Sequence, residues 1–235
     1  MADRSRDEVL ANLTKIRERI GASCERAGRD PSSVRLVAAG KTVPAEVLGW
    51  AREAGVEHFG ENYVQELREK RNRVPGATWH FIGTLQSHTA HHVAELADVV
   101  ETVVPGRAMS RLSRRASDRG RRLPALIEVD LTQGRTGLPP DQVPRAADQV
   151  AAAEGLRLVG LMTLPPLPER AEDSRPHFRR LRELRDLLAE RHPEAIELSM
   201  GMSLDYEVAI EEGATMVRIG TALFGARPPE GTGRT

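Results

Sequence analysis

The chain has 235 residues, 40% of them hydrophobic, enough for one large domain with a continuous core. Its 34 basic and 34 acidic side chains give a formal net charge of +0, so there is no electrostatic case for nucleic acid or an anionic membrane as partner. One cysteine, Cys24, excludes an internal disulfide, and with no charged-then-apolar leader and no long apolar run a soluble, cytoplasmic protein is expected.

The elements read in order as follows. Ser5 and Glu8 form a capping box ahead of Val9, Leu10, Leu13, Ile16, Ile20 and Cys24 at helical spacing, which predicts an N-terminal helix within residues 1–30. Then "RLVAAGKTVP" carries the first strand, and Pro44 opens a helix to about Ala54. "VEHFGEN" is a second strand with Val56 to Phe59 as its core, followed by a helix from Tyr63 to Arg73. The alternation continues: "WHFIG", helix Gln86–Ala97, "VVETVV", helix Arg107–Asp118, "ALIEVD", helix Asp141–Ala153, "LRLVGLMT", helix Asp173–Arg191. It closes with "AIELSM", helix Leu204–Glu212 and "TMVRIG". Eight short Val-, Ile- and Leu-rich strands, each with a helix, predict an α/β fold: a single (β/α)8 TIM barrel with an extra N-terminal helix. A Rossmann-like sheet is the alternative, but neither G-x-G-x-x-G nor G-x-x-x-x-G-K-[ST] follows any strand. One domain spans 1–235, with a flexible tail over 226–235.

In such a barrel the chemistry lies at the C-terminal ends of the strands. The chain uses arginine almost throughout, and only Lys15, Lys41 and Lys70 are lysines. Lys15 and Lys70 sit among charged neighbours and read as solvated helix faces, whereas Lys41 directly follows an apolar strand and a glycine. An amine placed there is partly desolvated, which lowers its pKa and makes the nucleophilic form accessible. The competing reading is a lysine that snorkels out of the strand end.

The loops after strands 7 and 8 often form a phosphate site. After strand 7, Gly201 and Ser203 precede a helix, and after strand 8, Gly220 and Thr221 offer close backbone approach and a hydroxyl. Ser203 is alternatively a plain helix cap. Arg218 alternates with Met216 and Gly220 and so points into the barrel, where it needs Glu128, Asp130 or a polar ligand as partner. A strand-end lysine, a phosphate cradle and an inward arginine suit a phosphorylated aldehyde, and pyridoxal 5'-phosphate meets that description. An arginine disfavours protonation of the pyridine nitrogen, so the ring is a weak electron sink.

The motifs "LVAAGKTVP", "HFGENYVQEL", "WHFIGTLQS", "GLMTLPP" and "LSMGMSLDYEVAIEEGATMVRIGTALFG" closely resemble the YggS/PROSC family of pyridoxal phosphate homeostasis proteins, from Leu36 to Gly225. The resemblance implies a barrel like the N-terminal domain of alanine racemase that binds the cofactor without a reaction of its own. It matches Lys41 to the Schiff-base lysine, Arg218 to the group facing the pyridine nitrogen, and Ser203, Gly220 and Thr221 to the phosphate site. Asn62, in "FGEN", falls close to the ring. Two positions depart from the family pattern: Gly40 stands where many members have serine, and His88, Thr89, Ala90, His91 and His92 replace an Asn-Lys continuation.

His88 and His92, four apart on a helix with Glu95 a turn on, have ligand-like spacing, but without a further ligand a solvated face is expected and no metal. His58 and His80 read as core or interface histidines, and Met200, Met202 and Met216 as packing. The expected function is pyridoxal phosphate homeostasis by a monomer that is not an enzyme, with apo-enzymes of amino-acid metabolism as partners. The alternatives are a small racemase, for which Tyr63 and Tyr206 are the only tyrosines and neither sits on a second domain, and a Schiff-base aldolase.

Overall fold

Eight parallel strands close into one barrel in chain order: β1 (Arg35–Ala39), β2 (His58–Glu61), β3 (Thr78–Phe81), β4 (Val99–Val103), β5 (Leu123–Val129), β6 (Leu156–Thr163), β7 (Glu197–Ser199) and β8 (Met216–Ile219), with β8 pairing back onto β1. The structure is a computed structural model that describes residues 5–132 and 134–226. The tail expected over 226–235 lies, from 227 onward, outside the described residues. The expected barrel is therefore found, with shorter strands at both ends of the chain. The second strand begins at His58 rather than Val56, and the seventh is three residues long.

Helices α1 (Arg6–Arg26), α2 (Ala45–Glu53), α3 (Val64–Arg73), α4 (Ala90–Leu96), α5 (Arg107–Ser117), α6 (Val143–Ala151), α7 (Arg175–Ala189) and α8 (Tyr206–Glu211) surround the strands, and a short α9 (Thr221–Phe224) follows β8. The α1 capping box forms as expected, Ser5 Oγ accepting from Glu8 N while the Glu8 carboxylate accepts from Ser5 N, each at 3.2 Å. This helix is not a mere addition. Four-residue α9 is too short to cover β8, and α1 packs against α8, α2 and α9, taking the outer position that a full helix after β8 would hold. Asn12 Nδ2 donates to Leu223 O across that contact.

Strand alternation sorts side chains between two cores. Ala38, Phe59, Trp79, Phe81, Val100, Ile127 and Val217 face the helices in the main core, while Val37, Leu126, Val159, Met162 and Met216 form a smaller one inside the barrel. Between Ala125↔Leu158 and Leu126↔Gly160 the β5–β6 register gains one residue, and this bulge lets Val159 turn inward. Gly160 is required beside it, because a Cβ there would lie 2.0 Å from Glu197 O.

The remaining interior is polar. His58 Nδ1 lies 3.0 Å from His80 Nε2, His80 Nδ1 lies 2.6 Å from a Glu101 oxygen, and the other Glu101 oxygen accepts from Ser199 Oγ at 2.5 Å. His80, Glu101 and Ser199 are buried. Burial alone would raise the Glu101 carboxyl, but the His80 hydrogen bond and the charge of Arg218 take it below its ordinary value. Burial, with His80 and Arg35 nearby, lowers His58 to about 4.

Two outcomes follow. Ile16 of α1 is buried, so Ile16→Ala is expected to lower the unfolding free energy by about 2–5 kcal/mol in denaturant titration. His58 has a folded-state pKa below its unfolded value, so its contribution to stability is present above about 6.5 and is lost as pH falls toward 4. Thermal melts of His58→Gln should lose less stability than wild type across that window, and an equal loss in both would refute the assignment.

Candidate functional site

At the C-terminal end of the strands a cavity of about 230 Å³ is lined by Ala39, Asn62, Ile82, Met202, Ser203, Arg218, Gly220 and Thr221, among others. Five of the six expected site residues thus share one wall. A larger groove, about 750 Å³, lies over α5 and the end of α6 and contains none of them. It is lined by residues of the outer helix surface, Met109, Arg114 and Glu154 among them, and the smaller cavity is the candidate site.

Arg218 points inward, as strand alternation predicts, and is 4% exposed. Its direct partners differ from the expected ones, although the Glu128 charge, with that of Asp205, still acts on it. Nη1 donates to Ser199 Oγ at 2.5 Å, Nη2 donates to Thr163 O at 2.8 Å, and the countercharge is Glu101 at 3.8 Å. Glu128 accepts from Thr136 Oγ1 instead, and Asp130 is occupied by the N–H groups of Thr132, Gly134 and Arg135. Glu101 escaped the sequence reading because it lies mid-strand in "VVETVV". A lone carboxylate inside an apolar strand was the available signal, since such a group requires a buried cation.

The two loops expected to hold an anion meet directly: Ser203 Oγ accepts from Ala222 N at 3.1 Å. Ser203 is not a helix cap, because α8 starts only at Tyr206 and Asp205 precedes it. Asp205 is instead the brace of this loop. One of its carboxylate oxygens accepts from Met202 N at 2.7 Å and the other from Ser174 Oγ at 2.7 Å. Gly201 has φ +90 and no room for a Cβ, which would lie 2.5 Å from that of Ala209, while its carbonyl accepts from Arg218 N. Loop and strand are therefore one rigid unit. Met200 and Met216 are packing residues as expected, and Met202 lines the cavity.

Asn62 follows β2 at the cavity wall, and its backbone is close-packed: a Cβ on Gly83 would lie 2.0 Å from Asn62 O. Lys41 is half-buried in the turn after β1, beyond the residues that line the cavity, and its Nζ stands 5.4 Å from the centre of the Tyr63 ring. Tyr63 is 52% exposed. Lys70 contradicts the expectation of a solvated face. It is 5% exposed, paired with Glu61 at 2.7 Å and Glu66 at 2.5 Å, and donates to Gly40 O at 2.8 Å. Glu61 is buried at the base of this cluster, and burial pushes its carboxyl up to about 7 against the pull of Lys70.

The histidine stretch does not form the expected helical pair. His88 precedes α4, which begins at Ala90, and His92 lies 2.9 Å from Arg68 and 3.8 Å from Glu95. Among the described residues no group of three His, Cys, Asp or Glu side chains is arranged to hold a metal ion, and no helix is long and apolar enough to cross a membrane.

The family described as "Alanine racemase, N-terminal domain" matches residues 9–228. A pyridoxal phosphate homeostasis protein of Aquifex aeolicus is 40% identical over 92% of this chain and 96% of its own length. One of Pseudomonas aeruginosa is 41% identical over 93% and 96%. Among solved structures, PipY of Synechococcus elongatus with pyridoxal phosphate bound superposes with a TM-score of 0.82 at 33% identity, over 92% of this chain and all of that one. An alanine racemase of Clostridium difficile shares the fold alone, with a TM-score of 0.76 at 15% identity over 95% of this chain and 58% of that one. An identity near 40% across almost the whole barrel places the chain in the family of pyridoxal phosphate homeostasis proteins.

Proposed function

We propose that the cavity at the strand ends holds pyridoxal 5'-phosphate, with Lys41 as its covalent anchor, and that the protein keeps the cofactor in reserve rather than turning over a substrate. The donor set supports the fit. A buried guanidinium, two hydroxyls and a carboxamide line one cavity whose wall is apolar at Ala39 and Ile82, and Lys41 follows Ala39 in the turn just beyond it. Bound there, the cofactor supplies an aldehyde carbon to which a lysine amine joins reversibly as a Schiff base, with release of one water. Ser203, Gly220 and Thr221 would take the phosphate, Arg218 the pyridine nitrogen and Asn62 the ring edge.

The observation that carries the non-catalytic reading is Arg218. Held by Ser199, Thr163 O and Glu101, it is a fixed cation, unable to protonate a pyridine nitrogen. Carbanion chemistry is thereby weakened, and neither Tyr63 nor Tyr206 lines the cavity as the second base of a racemase would. In the same reading the chain is one domain, a cytoplasmic monomer, and gives the cofactor to apo-enzymes of amino-acid metabolism.

Purified protein is expected to show visible absorption from the bound cofactor, and borohydride reduction should leave a pyridoxyl group on Lys41, located by peptide mass spectrometry. Lys41→Ala should lose both. A colourless protein that cannot be reconstituted would overturn the assignment. Exchange of the α-proton of added amino acids by wild type, abolished in Lys41→Ala, would favour the racemase instead.

A further inference from the structure

Thr42, next to Lys41, is the one non-glycine described residue with a positive φ, at +63. For a β-branched side chain this is a costly conformation, about 1–3 kcal/mol, and it persists only where the surroundings impose it. Lys41 and Thr42 are the central residues of a tight turn closed by Val43 N donating to Gly40 O at 2.8 Å. No local sequence signal calls for that geometry.

The constraint comes from α3. Glu66 accepts from Thr42 N at 2.9 Å, and Lys70, one helical turn later on the same face, donates to Gly40 O at 2.8 Å. Glu66 and Lys70 pair with each other, and Lys70 also pairs with buried Glu61. The backbone on both sides of Lys41 is thus hydrogen-bonded to one charged couple. Gly40 lies so close to Glu61, the second partner of Lys70, that a Cβ would stand 2.4 Å from Glu61 Oε1. Tyr63, immediately before the same helix, lies beneath the Lys41 amine.

We propose that Glu66 and Lys70 are positioning residues for Lys41: they impose the left-handed turn that fixes where its amine stands, over the Tyr63 ring, and so set how readily Lys41 captures an aldehyde. The proposal rests on the reading of Lys41 as the anchor. Neither residue lines the cavity, so each acts on covalent capture and leaves the phosphate and ring contacts in place.

The test uses full-length protein freed of cofactor. Pyridoxal 5'-phosphate is added, and the rate and extent of the covalent adduct are followed by absorption and by borohydride trapping. In parallel, pyridoxamine 5'-phosphate, which has no aldehyde, reports non-covalent binding by calorimetry. Loss of charged hydrogen bonds to the turn in Lys70→Met is expected to slow or weaken adduct formation by about 10- to 100-fold. The dissociation constant for pyridoxamine 5'-phosphate should stay within about twofold, because the cradle is untouched. Glu66→Gln, which keeps an acceptor for Thr42 N, should lie between, and guards against a Lys70 variant that fails to fold. Thr42→Asn in the Lys70→Met background should recover part of the loss, since asparagine tolerates the left-handed region. Adduct formation at the wild-type rate in both Lys70→Met and Glu66→Gln would overturn the proposal. So would an equal loss of both ligands, which would mark a general structural role. If wild type forms no adduct at all, the anchor reading fails instead, which a wild type that captures on Lys41 excludes.

Discussion

A guanidinium buried inside a barrel must be neutralised and fully hydrogen-bonded there, and much of the interior of this protein is arranged around that requirement. Arg218 projects inward from β8 with 4% exposure, a position that costs several kcal/mol for an unpaired ion. Ser199 of β7 and the carbonyl of Thr163 on β6 take its N–H groups, and Glu101 of β4 supplies the negative charge. Glu101 itself is completely buried and takes a second hydrogen bond from His80, which touches His58 in turn. The polar chain draws on six strands, and only barrel closure brings its members together. Val37, Leu126, Val159, Met162 and Met216 fill the rest of the interior and keep water from relieving the charges individually.

Lys41 is held by different means. Arg218 is fixed by a strand ladder and buried acceptors, whereas Lys41 leaves the ladder after Gly40 and depends on a helix packed outside the barrel. That helix and the residue before it contribute a carboxylate, an ammonium and an aromatic ring to one turn of chain. The two cationic groups therefore sit in separate electrostatic settings. One is committed to a permanent network, and the other has its backbone constrained while its amine stands over an aromatic ring.

The order of strands and helices was legible because apolar periodicity switches cleanly between 2 and 3.6 residues along the chain. The ends of elements were not, because apolar residues run on past both ends of β7. Ala195 and Met200 are buried yet outside the strand. Lys70 was misread for a similar reason. Its neighbours Arg68, Glu69 and Arg71 suggest a solvated helix, and only the position of Glu61 on β2 shows that this face turns inward. The signal that distinguished Lys41, a lysine in a chain that otherwise uses arginine, applied equally to Lys70.

Residue type and spacing by themselves determined the barrel, the inward direction of Arg218, the pairing of the strand 7 and strand 8 loops, and the unusual place of Lys41. These follow from local rules of alternation and strand-end position, which hold whatever the rest of the chain does. The tertiary structure decided which carboxylate balances Arg218, what holds the Lys41 turn and what braces the Ser203 loop. Most of those are contacts between residues far apart in the chain, such as Ser199 with Arg218, Glu101 with Arg218 or Ser174 with Asp205, and in the case of Lys70 and Gly40 across a helix and a strand. Such choices depend on which side chains closure leaves without water, and that is a property of the whole fold rather than of any segment.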